Sequence, residues 1–569
     1  MQCVDYLFGI CLVPANGSTS LFGFKDFIAA LAFLVIIYTI SDIRYRFRLA
    51  TTPIPLFMIT YVLIIVIGFG TLLTDIWISE KWLVPSTPFI TAAIWQGILA
   101  ALFLGLVITW MHYAFIRPPI FGRKNYKKYA QELYRIVLKG SESELPIIAH
   151  ELAASAKSLV KFAAGLVTLK TKAKGEMKPS AEGYANDMLL LIANRKFCRH
   201  LVASSPITAI WFLREVAEAE AEAYRVPIGL FAQNVSTEAI CNKDSELYHE
   251  DEGYTSGLLG DIKPFSHALY GNYRLVEALE HHSPLDIHYK SVWNWDADQF
   301  ETYCRVTQMT FKSYLDGNQW PQHSSVLTRA IRGIQETTCR ALGDLGKTGD
   351  DYYGDAWNRL RVGVHFIKDS INTIGELNPP PEARILRIRK EQRNRIRDED
   401  LYDHFANAMF EIIHSAAYIY GPPDKAWEIH HNSVWDDFFN DIYDNRAWKI
   451  VRFKLRRLLY DEIRRLEVFP TYKTARVLGI CLNLMGLTMH KRSDFGKEYA
   501  ALKAAALAST RRNYLRLRKA NSDIADACLI GGITFDAENA RLVKTYAKGL
   551  KPEPDKEYLP LLAPPAETT

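Results

Sequence analysis

Three long stretches almost free of charge lie within the first 117 residues, and nothing comparable follows them. Phe27 to Ile40 is uncharged and can run past Asp42 to Ile43. Ile54 to Thr74 is uncharged throughout, and Phe89 to Trp110 continues past His112 to Ile116. A helix rises about 1.5 Å per residue, so about 20 apolar residues cross the hydrocarbon of a bilayer. The second and third stretches meet that length, and the first falls at its lower end. They predict transmembrane helices at about 24–43, 54–76 and 89–116, inside a membrane domain of residues 1–117. Met1 to Pro14 does not read as a cleaved signal, because no Lys or Arg precedes its short apolar run.

Orientation follows from Lys and Arg, which resist transfer across the membrane and collect on the cytoplasmic side. The loop after the first span carries Arg44, Arg46 and Arg48, and the loop after the second only Lys81. The segment after the third carries Arg117, Arg123, Lys124, Lys127, Lys128 and Arg135. This alternation predicts a multi-pass protein of the cell inner membrane, with its N-terminus outside and everything from about residue 118 in the cytoplasm. Trp77 and Trp82 suit the outer interface and Tyr113 the inner one. Cys198, Cys241, Cys304, Cys339, Cys481 and Cys528 then lie in a reducing compartment and are expected as free thiols. Arg117, Arg123, Lys124, Lys127 and Lys128, next to the bilayer, are expected to meet anionic lipid headgroups.

In the third stretch Ala93, Gly97, Ala101 and Gly105 recur every four residues, a strip of small side chains along which two helices can pack closely. It is expected to pack on the chain's own second span, at Gly68 and Gly70, or on a second copy in a homo-oligomer. None of the three stretches has a mid-membrane Asp, Glu, Lys or Arg, so the usual mark of a proton relay or charged-substrate transporter is missing.

Beyond residue 125 the pattern is helical, with Ala, Leu, Glu, Lys and Arg in runs whose apolar residues fall three and four apart. Clear candidates are Glu142 to Leu169, Ala181 to Val202, Thr208 to Tyr224, Asp296 to Leu315, Ser325 to Leu342, Ala383 to Tyr418, Trp448 to Leu466 and Lys497 to Lys519. Ile530 to Phe535 has strand character, but too few such runs exist for a sheet-based domain. The expected fold is thus a membrane protein with three N-terminal transmembrane helices followed by a large all-α cytoplasmic region. Loop composition divides that region into 118–250, 251–380 and an Arg-rich 381–550. Residues 551–569, with five prolines, are expected to be disordered.

Arg195 and His200 sit in N-R-K-F-C-R-H, an R-x4-H spacing that resembles the signature of HEPN-type helical ribonucleases. The resemblance implies an Arg and a His on one helix and a site built across a dimer. It covers six residues and departs from the usual pattern at Lys196. Ala341 to Thr348 reads A-L-G-D-L-G-K-T, but a phosphate loop must leave a strand and enter a helix, and this segment follows a helical pattern, so Gly343 and Gly346 read as a helix end. His281, His282, Asp286 and His288, the pair His430 and His431, and Asp437, Asp441 and Asp444 are spaced without the convergence that a metal needs. Neither metal nor cofactor is assigned.

The broadest functional signal is basic. Arg384, Arg387, Arg389, Arg393, Arg395 and Arg397 fall in fourteen residues, and Lys449 to Arg465 and a run containing Arg511, Arg512 and Arg516 are also Arg-rich. Arg suits phosphates because its planar fork donates paired hydrogen bonds. These residues are expected to pair with acidic segments such as Asp398 to Asp403, or to bind anionic lipid, an acidic protein or nucleic acid. The expectation for the whole is a non-enzymatic, membrane-anchored effector or scaffold whose helical body binds a cytoplasmic protein or ligand. Bacterial defence effectors combine spans and sensing domains in this manner. A membrane-tethered HEPN-like ribonuclease and a membrane-associated nucleic-acid-binding protein are the alternatives.

Overall fold

The computed structural model describes residues 5–7, 10–14, 21–40, 42–85, 92–172, 180–218, 226–250, 255–256, 260–261, 264–287, 292, 294–318, 323–347, 354–377, 400–419, 423–439, 445–489, 499–546 and 553–563. They are mostly helical, in two compact units, Met1–Val235 and Ser236–Thr569. The division falls inside the helix Gly229–Cys241.

In the first unit the apolar stretches become α1 (Phe24–Ile40), α3 (Leu56–Ser79) and α4 (Ala92–Met111), the last continuing into a π-helical turn, His112–Ile116. Two helical segments, Leu56–Ser79 and Ala93–Ile116, are long and apolar enough to cross a membrane. At 17 residues, α1 is shorter. A short helix, α2 (Ile43–Ala50), follows it and carries the three arginines of that connection. Phe27 of α1, Ile67 of α3 and Leu99 of α4 form one apolar cluster, with Phe22, Leu63 and Phe103 packed around it. At the other end of α3, Leu49, Leu56 and Ala114 form a second. The strands β1 (Asp5–Leu7), β2 (Ile10–Pro14) and β3 (Leu83–Pro85) form a small antiparallel sheet.

The rest of this unit is a layer of shorter helices: α5 (Tyr126–Lys139), α6 (Glu144–Ala153), α7 (Ala156–Lys172), α8 (Ala181–Ile192), α9 (Arg195–Ser204) and α10 (Pro206–Glu218). Two long runs expected from periodicity are each divided. Asn194 leaves the helical conformation and its side chain accepts from the Phe197 amide at 3.2 Å, so α9 starts anew with an N-cap. Ser155 separates α6 from α7 and its hydroxyl accepts from Tyr129 at 2.9 Å. Both breaks are polar side chains satisfying backbone or buried groups, which apolar periodicity does not register.

In the second unit the main helices are α11 (Ala297–Asp316), α12 (Ser325–Leu345), α13 (Asp355–Glu376), α14 (Leu401–Ala416), α15 (Arg446–Val468), α16 (Tyr472–Met485) and α17 (Ala500–Ala520). Helix α13 packs on α11, α12 and α15, so the expected boundary near residue 380 does not separate two cores. A Cβ at Gly363 would overlap the Thr338 hydroxyl, so glycine is what allows α12 and α13 to approach. The C-terminal segment, expected to be disordered, departs from that expectation. Lys556–Pro560 is β6, paired antiparallel with β5 (Arg541–Thr545), which pairs in turn with β4 (Ile533–Asp536). Leu559 is fully buried in this sheet, and Pro560 occupies an edge strand, where a missing amide is tolerated.

Candidate functional site

The apolar helices are tied together mainly at their ends. At one end the Asp75 carboxylate of α3 accepts from the Phe24 amide at 2.8 Å, placing a negative charge on the first turn of α1. Gln96 of α4, buried, accepts from the Leu21 amide at 2.9 Å. At the other end Arg48 of α2 forms a paired bond to Glu151 of α6, with Nε to Oε2 and Nη2 to Oε1 both at 2.7 Å. Its third nitrogen donates to the Ala114 carbonyl of the π-helical turn at 2.6 Å. Arg44 lies 3.3 Å from the same Glu151, whose side chain is only 8% exposed. Nearby, Asn125 donates to the Thr51 carbonyl at 2.8 Å and Lys128 to the Ile54 carbonyl at 3.1 Å. The connection between α1 and α3, the end of α4 and the first body helices are thus one hydrogen-bonded junction. The arginines expected from the loop charge count are here, but Arg48 serves as a structural clamp. Lys128 likewise faces the α2–α3 connection, unlike Arg117, Lys124 and Lys127, which are exposed, and Arg123, which is 80% exposed and lies 3.7 Å from Glu182.

The small-residue strip does not meet α3. Nothing lies within 4 Å of where a Cβ would stand on Gly97 or Gly105, and Ala93 and Ala101 are exposed. Gly70 instead accommodates Leu99, and Gly68 accommodates Phe27, whose ring would be 2.8 Å from a Cβ there. The face of α4 that packs inward carries Gln96, Leu99 and Leu106, with Phe103 and Trp110 beside them. At about 100° per residue that face is nearly opposite the strip. The expected packing of the strip on Gly68 and Gly70 is therefore corrected, because the bulky face of α4 fills the space those glycines leave.

Arg195 and His200 are both on α9, but a separation of five residues turns them about 140° apart around the helix. Arg195 is exposed and His200 half-buried, while Phe197, Cys198, Leu201 and Val202 form the inward face.

Other candidates are absorbed by structure. Glu277 caps α12, accepting from the Ser325 amide at 2.9 Å and the Ser324 hydroxyl at 2.6 Å. Asp286 holds Arg329 by two bonds at 2.7 and 2.9 Å, while His281 and His282 are exposed. His430 is fully buried in a π-helical stretch, Glu428–Trp435, with Nε2 2.7 Å from the Ala416 carbonyl. The carbonyl accepts, so Nε2 carries the proton, and burial pushes the ring pKa down to about 4. Asp437 pairs with Lys368. Gly346 ends α12 in ordinary right-handed geometry, so the A-L-G-D-L-G-K segment is a helix end. His288, Thr348, Asp441 and Asp444 lie outside the described residues, and so do Arg384, Arg387, Arg389, Arg393, Arg395 and Arg397. Among the described residues no three His, Cys, Asp or Glu side chains are placed to hold a metal ion.

Among the described residues, two buried lysines were not foreseen from the sequence. Lys454 of α15 lies 3.0 Å from Asp400 and 2.7 Å from Asp403, the residues that form the capping box of α14. Burial pushes the Asp400 carboxyl above the usual range despite Lys454. Lys544 of β5 is 2% exposed and donates to the Asn483 carbonyl at the end of α16. Its ammonium stands over the rings of Tyr546 at 4.3 Å and Trp427 at 5.2 Å, and burial pushes its pKa down to about 8. Each lysine sits in an otherwise ordinary amphipathic pattern, and only tertiary contact distinguishes it. Cys198, Cys241, Cys304, Cys339, Cys481 and Cys528 are free thiols, and burial pushes Cys481 and Cys528 up to about 12.

The described basic run is more specific. Helix α17 has six basic and no acidic side chains. Its Arg516 donates to the Glu467 carbonyl at 3.3 Å, and its Arg512 lies 4.0 Å from the Glu467 carboxylate. Glu467, near the end of α15, also takes Arg464 at 3.0 Å, Ser509 at 2.9 Å and Asn513 at 3.0 Å. The two Arg-rich helices therefore meet at one place. Comparison with protein-family models, with curated proteins and with solved structures returns no match.

Proposed function

We propose that this protein is a membrane-anchored effector or scaffold, held in the cell inner membrane by α1, α3 and α4 as three spans, with its helical body in the cytoplasm to bind a partner protein or ligand. The observation that carries this reading is the uncovered surface of the apolar helices. In the most apolar 18-residue windows of Leu56–Ser79 and Ala93–Ile116, only 28% and 17% of residues are buried. Met58, Tyr61, Phe69 and Leu104 are among the side chains left open, a surface far larger and more continuous than water tolerates. Hydrocarbon is the solvent that suits it.

Several features support the finer parts. Phe33, Val35 and Ile36 of α1 are also open, which suits a third, short span. The Arg-rich connection after α1 and the basic segment after α4 meet at one junction, as the positive-inside rule requires of two cytoplasmic ends. The open strip at Gly97 and Gly105 suits assembly with a second copy. The Arg48 clamp joins the inner ends of the spans to α6, so a ligand that displaces the body has a path by which to rearrange the spans. Regulated membrane perturbation, as in bacterial defence, is the version of the function that uses this path.

The test is made on the full chain. Membranes washed at alkaline pH should retain it, and Gly97→Leu with Gly105→Leu should lower its mass in mild detergent. Release by the wash overturns the anchor, and an unchanged mass overturns assembly through the strip.

A further inference from the structure

The turn between α15 and α16 has a surface unlike the rest of its unit. Helix α15 ends at Val468, the backbone leaves the helix at Phe469, and Thr471 caps α16. Val468 is 87% exposed, the most of any large apolar side chain among the described residues, Phe469 is 73% exposed and Tyr472 is half exposed. Among the described residues of its unit the nearest approach to Val468 and Phe469 is Phe453, at 64%, and comparable exposure occurs in the apolar N-terminal unit at Ile116 and Met58. Arginine surrounds the tip: Arg464 is 51% exposed, Arg465 73% and Arg512 58%, with Arg516 also exposed on the neighbouring helix. The nearby carboxylates are turned inward, Glu467 at 17% and Glu462 at 10%. The outer surface is thus positive with a protruding apolar point. Immediately behind it, Leu466, Pro470, Leu478 and Leu517 help line a cavity of about 170 Å³.

We propose that this turn is a second membrane contact, in which Val468 and Phe469 enter the interface of an anionic bilayer while Arg464, Arg465, Arg512 and Arg516 bind lipid phosphates. The inference rests on the reading that the chain is membrane-anchored. Anchoring holds the turn at high effective concentration beside a lipid surface, so a contact too weak to recruit a free protein is sufficient here. The chemistry favours lipid over nucleic acid. The protruding point itself is Val468 and Phe469 beside Pro470, and an exposed aliphatic chain such as Val468 gains by entering the apolar layer under the headgroups but has nothing to pair with on a base edge. Arginine forks match phosphates, and apolar side chains match the region just beneath them.

The test uses the full chain in vesicles, with photoreactive p-benzoylphenylalanine placed singly at position 469, at 104 in α4, or at 538 on the exposed β4–β5 turn. In vesicles containing phosphatidylserine, position 469 should crosslink lipid at least fivefold more than position 538, and the excess should vanish in pure phosphatidylcholine. Replacing Arg464, Arg465, Arg512 and Arg516 with Gln should remove it as well. Lipid crosslinking at 104 with none above background at 469 overturns the second contact and leaves the anchor standing. No lipid crosslinking at 104 overturns the anchor, and this inference with it. Crosslinking of 469 to co-purified RNA or protein in place of lipid also overturns it.

Discussion

The apolar N-terminal helices and the C-terminal helical unit are built from the same secondary structure by opposite rules. In α3 and α4 most of the surface is apolar and open, and specific bonds gather at the ends: Asp75 on α1, Gln96 on Leu21, and Arg48 on Glu151 and Ala114. In the C-terminal unit most apolar side chains are buried, the turn at Val468 and Phe469 being the chief exception, and charged groups are taken inside with them, as Lys454 with Asp400 and Lys544 with the Asn483 carbonyl. The difference teaches where each region is fragile. If α3 and α4 lie in hydrocarbon as proposed, they gain little from replacing one apolar neighbour by another, so their junctions matter most. A unit with a closely packed interior depends on that packing and on the protonation of what it buries.

The largest effect is therefore expected at the junction. Glu151→Gln leaves Arg48 and Arg44 without their carboxylate in a mostly buried site, and should cost about 3 kcal/mol, read as a lowered thermal midpoint in detergent. An unchanged midpoint would show that the spans and the layer beneath them are not coupled there.

Acid should act next, on the other region. His430 is held neutral, with its pKa lowered to about 4 from 6.5, and His404 is lowered to about 4 by burial, with the His323 ring 6.1 Å away. The unfolded chain binds these protons first, so stability present above pH 6.5 is lost as pH falls toward 4. Asp400, raised by burial, opposes the trend over part of the same interval. A net loss of about 2 kcal/mol is expected in urea melts of the C-terminal unit's tryptophan signal, and a midpoint that does not fall between pH 6.5 and 4.5 contradicts it.

Gly363→Ala comes third. Its methyl group would collide with Thr338 between α12 and α13, and a cost of about 1 to 2 kcal/mol should appear in the same melts. Lys544→Met should change stability by less than about 1 kcal/mol at neutral pH, because a buried ammonium gives way to an apolar chain of similar length. It should also remove the gain in stability expected of the native chain between pH about 8 and 10.5, where the unfolded lysine is charged and the folded one is not. The smallest effect is expected at Gly97→Leu, which meets nothing within the chain and should leave the thermal midpoint of the isolated protomer unchanged.

Apolar length and helical period made the broad architecture readable: α3 and α4 appear where uncharged runs predict them, and α11, α12, α15 and α17 within a few residues of their expected limits. What escaped was everything decided by contact. Asn194 and Ser155 interrupt helices whose apolar pattern runs on. Lys556–Pro560 becomes a strand because Leu559 finds a buried place beside β5. The small-residue strip was legible as a close-packing surface, but which helix it faces depends on where Leu99, Phe103 and Leu106 go. The meeting of Arg464, Arg512 and Arg516 at Glu467 joins residues nearly fifty positions apart, a juxtaposition to which no local motif points.

The central claim is an anchored chain whose α3–α4 loop lies outside and whose body lies inside. The most direct measurement is labelling of intact cells with a membrane-impermeant maleimide, in a background with Cys3, Cys11 and Cys241 changed to Ser. Lys81→Cys, after α3, should label at once, and Lys124→Cys, after α4, only once the cells are made permeable. Equal labelling of the two positions, or labelling of Lys124→Cys alone from outside, would contradict the account.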